Sequence, residues 1–181
     1  MTNPLLHAGE LPAFSAIHAE HVVPAIDRLI ADNRSAREVL LDGTDPYTWE
    51  NLIAPLEAME DRLSQAWSPV SHLNGVMHSP ELREAYNACL PKLSAYATEF
   101  NQDQRLYEAY RSIRDGDEYQ RLDNAQRKVV DDALRDFRLA GVTLPVEQKN
   151  RYGEIMQSLS SLGAKFQENV LDATQAWKKH I

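Results

Sequence analysis

The sequence predicts an all-α fold, an elongated bundle of about five long helices that are kinked by prolines. Apolar residues make up 43% of the 181 residues, which is enough for a sizeable core and argues against disorder. Only 7 glycines are spread along the chain, and this scarcity disfavours a turn-rich β architecture. Apolar side chains also recur every three or four residues over long segments, which is the period of a helix with one buried face.

An extended arm, residues 1–18, precedes the first predicted helix. That helix runs from about Ala19 to Leu41, where apolar residues follow helical spacing, and Gly43 supplies a stop signal. Pro24 lies near the start of this helix. We expect it to bend the helix rather than end it, because proline lacks one backbone donor.

The second predicted helix begins after Thr48, whose hydroxyl can cap it. Its apolar residues step by three or four from Trp49 to Met77, as in the seam of a coiled coil. Pro55 and Pro69 interrupt this run, and each is expected to kink the helix.

The third predicted helix has a strong start signal at residues 79–81, Ser-Pro-Glu, which combines a capping serine, a proline at the first position and an acid in the first turn. Pro91 is expected to kink it. A shorter helix follows Asn101, and residues 114–117 are predicted to form a turn.

The last two predicted helices have clear starts. Asp123 and Gln126 can form a capping box for a helix that ends near Gly141. Pro145 opens the final helix, which is expected to run to about Trp177. No glycine or proline stop follows this helix, so we expect the chain to be a piece cut from a longer one.

Charge and cysteine content limit the possible partners and compartment. The net charge is −8 and no dense basic patch is present, which disfavours a nucleic-acid partner. The single cysteine cannot form an intramolecular disulfide, as is usual in a reducing compartment. Neither a signal peptide nor an apolar run long enough to cross a bilayer is visible. We therefore expect a cytoplasmic protein with no membrane partner.

The most conspicuous candidate for a metal site is the pair His18 and His21. Histidines three residues apart on one helical turn can share a metal ion, but a peptidase zinc helix requires HExxH, in which they are four apart. We interpret the pair as exposed or cap-forming. The remaining histidines are isolated and are expected at solvent or helix-end positions: His7, His72, His78 and His180.

Three other features are candidates for chemistry, and each has a structural interpretation. Cys89 lies on an apolar seam, which predicts a buried structural thiol rather than a nucleophile. Asp131 and Asp132 diverge by about 100° on a helix and are predicted, like Asp115 and Asp117, to be solvated. No glycine-rich phosphate loop, GxSxG or CxxC occurs in the sequence.

A mixed aromatic and basic group is formed by Tyr107, Tyr110, Arg111 and Arg114. It could contact an extended peptide, but aromatic residues at helical spacing more often pack into a core. We therefore assign no catalytic residue and no metal ligand in this chain, and we identify no substrate-binding residue.

Seven segments of the chain resemble the oligopeptidase A branch of the thimet-oligopeptidase family of zinc metallopeptidases. Several exceed ten residues and all occur in the same order, so the resemblance covers nearly the whole chain. One departure is Ala19, which stands where the family pattern has proline. The matching segments are Glu20–Ile26, Tyr47–Glu57, Trp67–Val76, Ser79–Pro91, Leu106–Tyr119, Ala125–Pro145 and Arg151–Trp177.

The resemblance implies a mostly helical enzyme that cleaves short peptides inside a deep channel. It also implies a zinc ion held by an HExxH helix and a further glutamate, with the motif glutamate as general base. In the family these groups lie in the carboxy-terminal half, whereas this chain resembles about the first quarter. No HExxH occurs between Met1 and Ile181, so we expect the chain by itself to be inactive and to contain no cofactor.

Residues 19–181 are accordingly expected to be a helical N-terminal domain, truncated before the catalytic domain. Its expected role is to form the wall and rim of the channel. The expected partners are the remainder of the polypeptide and short peptides in the full enzyme, and the isolated piece could self-associate through apolar surface. The alternative is a stand-alone helical protein-interaction module derived from such a peptidase.

Overall fold

The computed structural model describes residues 3–7, 11–43, 46–77 and 79–177, and within them it contains helices and no β-strand. The all-α prediction is confirmed, but the described residues form seven α-helices rather than about five. These are α1 Ala19–Gly43, α2 Ala54–Val76, α3 Pro80–Asn101, α4 Gln104–Asp115, α5 Asp117–Arg121, α6 Asn124–Leu139 and α7 Val146–Ala176. Short 3-10 turns at Pro4–Leu6 and Phe14–Ala16 and a π-helical turn at Trp49–Ile53 complete the structure.

The predicted helix starts are confirmed by their capping hydrogen bonds. Thr48 Oγ1 accepts from the Asn51 backbone N–H at 3.1 Å, and Asn51 Oδ1 accepts from the Thr48 backbone N–H at 2.7 Å. Ser79 Oγ accepts from the backbone N–H of the third helical residue of α3 at 3.1 Å. Asp123 and Gln126 form the same reciprocal box at 2.8 and 3.0 Å. Side-chain caps of this kind satisfy backbone donors that the first helical turn leaves free.

Helix α5 was not predicted, and its origin is local. Residues 114–117 were expected to form a turn, but the break is confined to Gly116, which has an extended backbone (φ −98°, ψ 178°). A β-carbon at Gly116 would lie 2.9 Å from the backbone oxygen of Ser112, so a larger residue does not fit without a shift. Asp117 and Glu118 then occupy the first turn of α5, where acids are favoured by the helix dipole.

The four prolines that were expected to kink helices occupy two kinds of position. Pro24, Pro69 and Pro91 lie inside α1, α2 and α3, and each helix continues through its proline. Pro55 instead lies in the first turn of α2, directly after the π-helical turn, where a missing backbone donor is well tolerated. No helix of the described residues combines the length and the hydropathy required to span a bilayer.

Two buried clusters hold the helices together. The arm-side core joins the N-terminal turns to α1, α2 and α3, and the α4–α6 core joins the end of α1 and the π-helical turn to α4 and α6. The arm-side core contains Leu5, Ile17, Val22, Ala25, Ile26, Leu29, Ile30, Leu63, Ala66, Val70, Leu82, Cys89 and Tyr96. The α4–α6 core contains Leu41, Leu52, Ile53, Leu56, Leu106, Tyr107, Ala109, Tyr110, Ile113, Leu122, Val130, Leu134, Phe137 and Val142.

A polar network joins α1 to α3 and to the start of α4. Arg37 is 6% exposed, and its Nη2 donates to Glu99 Oε1 at 2.5 Å. Arg37 Nε lies 3.6 Å from Asp103 Oδ2. Burial opposes ionisation of Glu99, but hydrogen bonds from Arg34 and Arg37 outweigh it and lower the pKa of this carboxyl. The buried guanidinium is thus compensated by carboxylates on two other segments.

Candidate functional site

Helix α7 differs from the other long helices because none of its described side chains is buried. It packs mainly along α3. Its half-buried residues include Gly153, where an added β-carbon would lie 3.6 Å from Thr98 Cγ2 of α3. The face that α7 turns towards α3 is therefore close-packed but consists largely of small or polar residues: Lys149, Tyr152, Gly153, Met156, Ser160, Ala164, Glu168 and Leu171.

Polar contacts add to this packing near the end of α7. Arg83 of α3 forms a bidentate pair with Asp172, with Nη2–Oδ1 at 2.6 Å and Nη1–Oδ2 at 3.1 Å. The hydrogen bonds that Arg83 donates to Asp172 raise the pKa of the Arg83 guanidinium. Asn87 Nδ2 donates to Glu168 Oε1 at 2.7 Å. These contacts fix the rotation of α7 about its axis, because they are possible for one face only.

A second face of α7, beside the face that packs on α3, is an apolar stripe exposed to solvent. Its members are separated by four, three, four and four residues, so they line one side of the helix. The stripe consists of Ile155 (44% exposed), Leu159 (56%), Leu162 (65%), Phe166 (69%) and Val170 (50%).

Charged side chains are scarce around this stripe. Between Ile155 and Leu171, the charged residues are Lys165 and Glu168, and Glu168 contacts α3. Helix α6, by comparison, has seven charged residues among its 16. A solvent-facing helix surface is normally charged, whereas the centres of protein interfaces are depleted in charge. The composition of this face is that of an interface.

A groove lies beside the stripe, where the end of α2 and the start of α3 meet α7. Its volume is about 370 Å³, and its walls include Gly75 of α2, Tyr86 of α3, and Phe166 and Val170 of α7. The ring of Tyr86 stacks on Trp67 with their centroids 4.8 Å apart, which fixes one wall. Phe166 and Val170 belong to both the groove and the stripe, so the two surfaces adjoin.

The histidine pair has a structural role at the start of α1. The His18 backbone N–H donates to His21 Nδ1 at 3.1 Å, so one ring nitrogen of His21 is used in capping. The two rings lie 5.5 Å apart. Within the described parts of the chain, no three His, Cys, Asp or Glu side chains are grouped as metal ligands would be. The hydrogen bond to His21 Nδ1 supports the cap-forming interpretation of the pair.

The other histidines are scattered. His7 is exposed, and the ring of His72 lies 5.7 Å from that of Phe14. His78 and His180 lie outside the described residues.

The cysteine and the aspartate pairs also have structural environments. Cys89 is fully buried, and burial raises the pKa of its thiol to about 11, so it is protonated at neutral pH. Asp131 Oδ2 accepts from the Tyr119 hydroxyl at 2.8 Å, whereas Asp132 pairs with Arg135 at 2.8 Å. The two carboxylates thus have different partners, as their angular separation predicted.

The mixed aromatic and basic group is divided between core and surface. Tyr107 and Tyr110 are 8% and 2% exposed and make edge contacts with Phe137 at 6.2 and 5.4 Å between ring centroids. Arg114 lies outside this core, where Nε donates to Asp131 Oδ1 at 2.7 Å. The hypothesis of a peptide-contacting surface at this group is wrong for the tyrosines, and the packing alternative is confirmed.

Comparison with known families gives the class: the chain belongs to the family Neurolysin/Thimet oligopeptidase, N-terminal domain, whose sequence model matches residues 26–149. The resemblance seen in the sequence is thereby confirmed.

The similarity to individual proteins indicates a branch within this family. The chain is 55% identical, over all of its 181 residues, to Oligopeptidase A of Salmonella typhimurium and to Oligopeptidase A of Escherichia coli. It is 49% identical over the same 181 residues to Oligopeptidase A of Haemophilus influenzae. The chain covers 27% of the length of the first two relatives and 26% of the third.

Proposed function

We propose that this chain acts as the N-terminal helical domain of a zinc metallo-oligopeptidase that degrades short peptides in a deep channel. It supplies part of the channel wall and rim, and the rest of the polypeptide supplies the chemistry. The observation that carries the proposal is the exposed, charge-poor stripe on α7 of an otherwise well-packed domain. The family match and the names of the relatives support the peptidase class.

Within the part of the chain that the structure describes, no three His, Cys, Asp or Glu side chains are grouped as zinc ligands would be. His18 and His21 are three residues apart, and His21 uses Nδ1 to cap α1. A catalytic zinc ion requires three protein ligands and an open position. We therefore propose that zinc is bound by groups outside this chain, and that the chain neither binds zinc stoichiometrically nor hydrolyses peptides by itself.

The mechanical contribution of the domain follows from its two cores. Helices α1 to α4 and α6 are fixed by buried side chains, and the Arg37–Glu99 pair links α1 to α3, so these helices form a rigid support. A wall that excludes folded proteins by size must keep its shape, because a flexible wall would admit larger substrates. Helix α7, held on this support through α3, presents the surface that the remaining polypeptide would cover.

A chimera tests this function. The first 27% of Escherichia coli Oligopeptidase A is replaced by this chain, and hydrolysis of a quenched fluorescent peptide is measured with and without zinc. We expect zinc-dependent turnover by the chimera and none by the isolated chain with added zinc. A folded but inactive chimera would contradict the domain role, and metal-dependent turnover by the isolated chain would contradict the non-catalytic role.

The alternative function is a stand-alone helical interaction module, which the same exposed stripe would also suit. The two functions predict different results in the chimera. A module that has lost its peptidase context would not restore hydrolysis in place of the bacterial domain. The wall role is tested separately by comparing long and short peptides, because a chimera that cleaves both without size preference contradicts it.

We also propose a cytoplasmic location. The support is the single cysteine, which is buried and protonated and is compatible with a reducing compartment. Fractionation of cells that express the natural gene measures this directly, and recovery of the protein outside the cytoplasmic fraction would contradict it.

A further inference from the structure

The distribution of packed and exposed residues on the two faces of α7 is not the one expected for a domain without a further partner. The face towards α3 contains Tyr152, Met156 and Leu171 together with smaller and polar residues. A second apolar set, which includes Leu162 and Phe166, is exposed to solvent. Burial of a Leu or Phe side chain is worth roughly 1.5–3 kcal/mol. A helix that packed only within this domain would need one apolar face, so the second, exposed face leaves Leu162 and Phe166 available for another partner.

The spacing of the stripe defines the shape of that partner. Leu159, Leu162 and Phe166 step by three and four residues, which are the a and d positions of a helix–helix seam. The stripe from Ile155 to Val170 extends about 22 Å at roughly 1.5 Å per residue, or four turns of helix. An amphipathic helix laid along α7 would match both the spacing and the length.

The identity of the partner follows from the share of the relatives that this chain covers. The chain corresponds to 27% of the Oligopeptidase A polypeptides, so nearly three quarters of such a protein lies outside the present structure. We propose that the exposed stripe of α7 is the docking surface for an amphipathic helix of that remaining polypeptide. This inference rests on the proposed function, and it adds the specific face and the type of element that covers it.

A single-cysteine labelling experiment tests the docking surface. Leu162→Cys places a thiol in the stripe, and Val39→Cys, on α1, is a matched control because Leu162 and Val39 are 65% and 71% exposed. The native Cys89 gives little background, since it is fully buried. The alkylation rate of each variant is measured in the isolated chain and in the chimera with the Escherichia coli remainder.

We expect the Leu162→Cys thiol to react at least about tenfold more slowly in the chimera than in the isolated chain, with no such change for Val39→Cys. An active chimera in which both thiols react equally fast would overturn the docking surface while leaving the proposed function intact. A folded chimera that protects Leu162→Cys but does not hydrolyse peptide would support the docking surface and contradict the function.

Two further measurements test whether a second copy covers the stripe and whether the backbone of α7 is protected. If the isolated chain already protects Leu162→Cys and sediments as a dimer, a second copy covers the stripe and the proposal is overturned. Hydrogen exchange of the α7 backbone amides in the unsubstituted chimera needs no cysteine. Slower exchange than in the isolated chain supports docking, and equal exchange rates contradict it.

Discussion

Helices α6 and α7 have the same apolar periodicity, but α6 buries its apolar residues and α7 leaves most of them exposed. Helix α6 buries Val130, Leu134 and Phe137 and covers its other sides with seven charged residues. Helix α7 leaves Phe166 69% exposed and has few charges beside it. Apolar spacing thus predicts a helix with one apolar face. The number of charged residues on its other faces indicates whether the element that packs against the apolar face belongs to the same domain.

The largest expected loss of stability comes from truncating a buried side chain of α6. Phe137→Ala removes a ring that is 2% exposed and contacts Tyr107, Tyr110 and Phe100, so we expect it to cost about 3–5 kcal/mol in the free energy of unfolding. Urea denaturation of the isolated chain measures it. The matched control, Phe166→Ala on α7, should change stability by less than about 0.5 kcal/mol. Equal losses for the two variants would contradict the comparison.

The next largest loss of stability is expected when a buried ion pair is broken, in comparison with an exposed one. Glu99→Gln leaves the nearly buried Arg37 guanidinium without its closest carboxylate. We expect a loss of about 2 kcal/mol, below the usual cost of breaking a buried pair because Glu99 is partly exposed. The control is Asp132→Asn on α6, whose partners Lys128 and Arg135 are exposed, and which should have no measurable effect in the same denaturation experiment.

The Glu99 pair also predicts a dependence on pH. Its folded-state pKa is lowered from 4.5, so the stability it contributes is present above pH 4.5 and is lost as pH falls through the lower folded value. The difference in unfolding free energy between the natural chain and Glu99→Gln should therefore shrink from pH 7 towards pH 3. A difference that stayed constant over this range would show that charge is not what Glu99 contributes.

The smallest effect separates helix capping from packing. Asp123→Ala removes the side-chain acceptor of the α6 capping box, and we expect a loss of about 1 kcal/mol. Asp123→Asn retains an oxygen acceptor and serves as the control, with most of the stability kept. If both variants lost the same amount, the carboxylate would be acting through something other than the cap.

The helix starts could be predicted from the sequence because capping is local. Thr48, Ser79 and Asp123 all cap as their neighbours predicted. Helix α5 could not, since a five-residue helix has no apolar period to detect. The buried network at Arg37 was also missed, because an arginine inside an apolar run gives no sign of which distant carboxylate will meet it.

The sequence predicted the helix that carries the candidate site but not the exposure of its apolar surface. The final helix was predicted from the sequence, but apolar spacing alone could not show which of its apolar residues pack on α3 and which stay exposed. The scarcity of charge between Ile155 and Leu171 was the available signal. For Tyr107 and Tyr110, helical spacing favoured packing over a peptide-contacting surface, and both rings are buried.

We propose that the face of α7 exposed here becomes buried when the chain is joined to the remainder of an oligopeptidase. The most direct measurement is the effect of Phe166→Ala in two contexts: the melting temperature of the isolated chain, and the thermal inactivation of peptide hydrolysis by the Escherichia coli chimera. We predict a change within about 1 °C in the isolated chain. In the chimera we predict a loss of several degrees, with Val39→Ala unchanged in both. No difference between Phe166→Ala and Val39→Ala in an active chimera would contradict the claim.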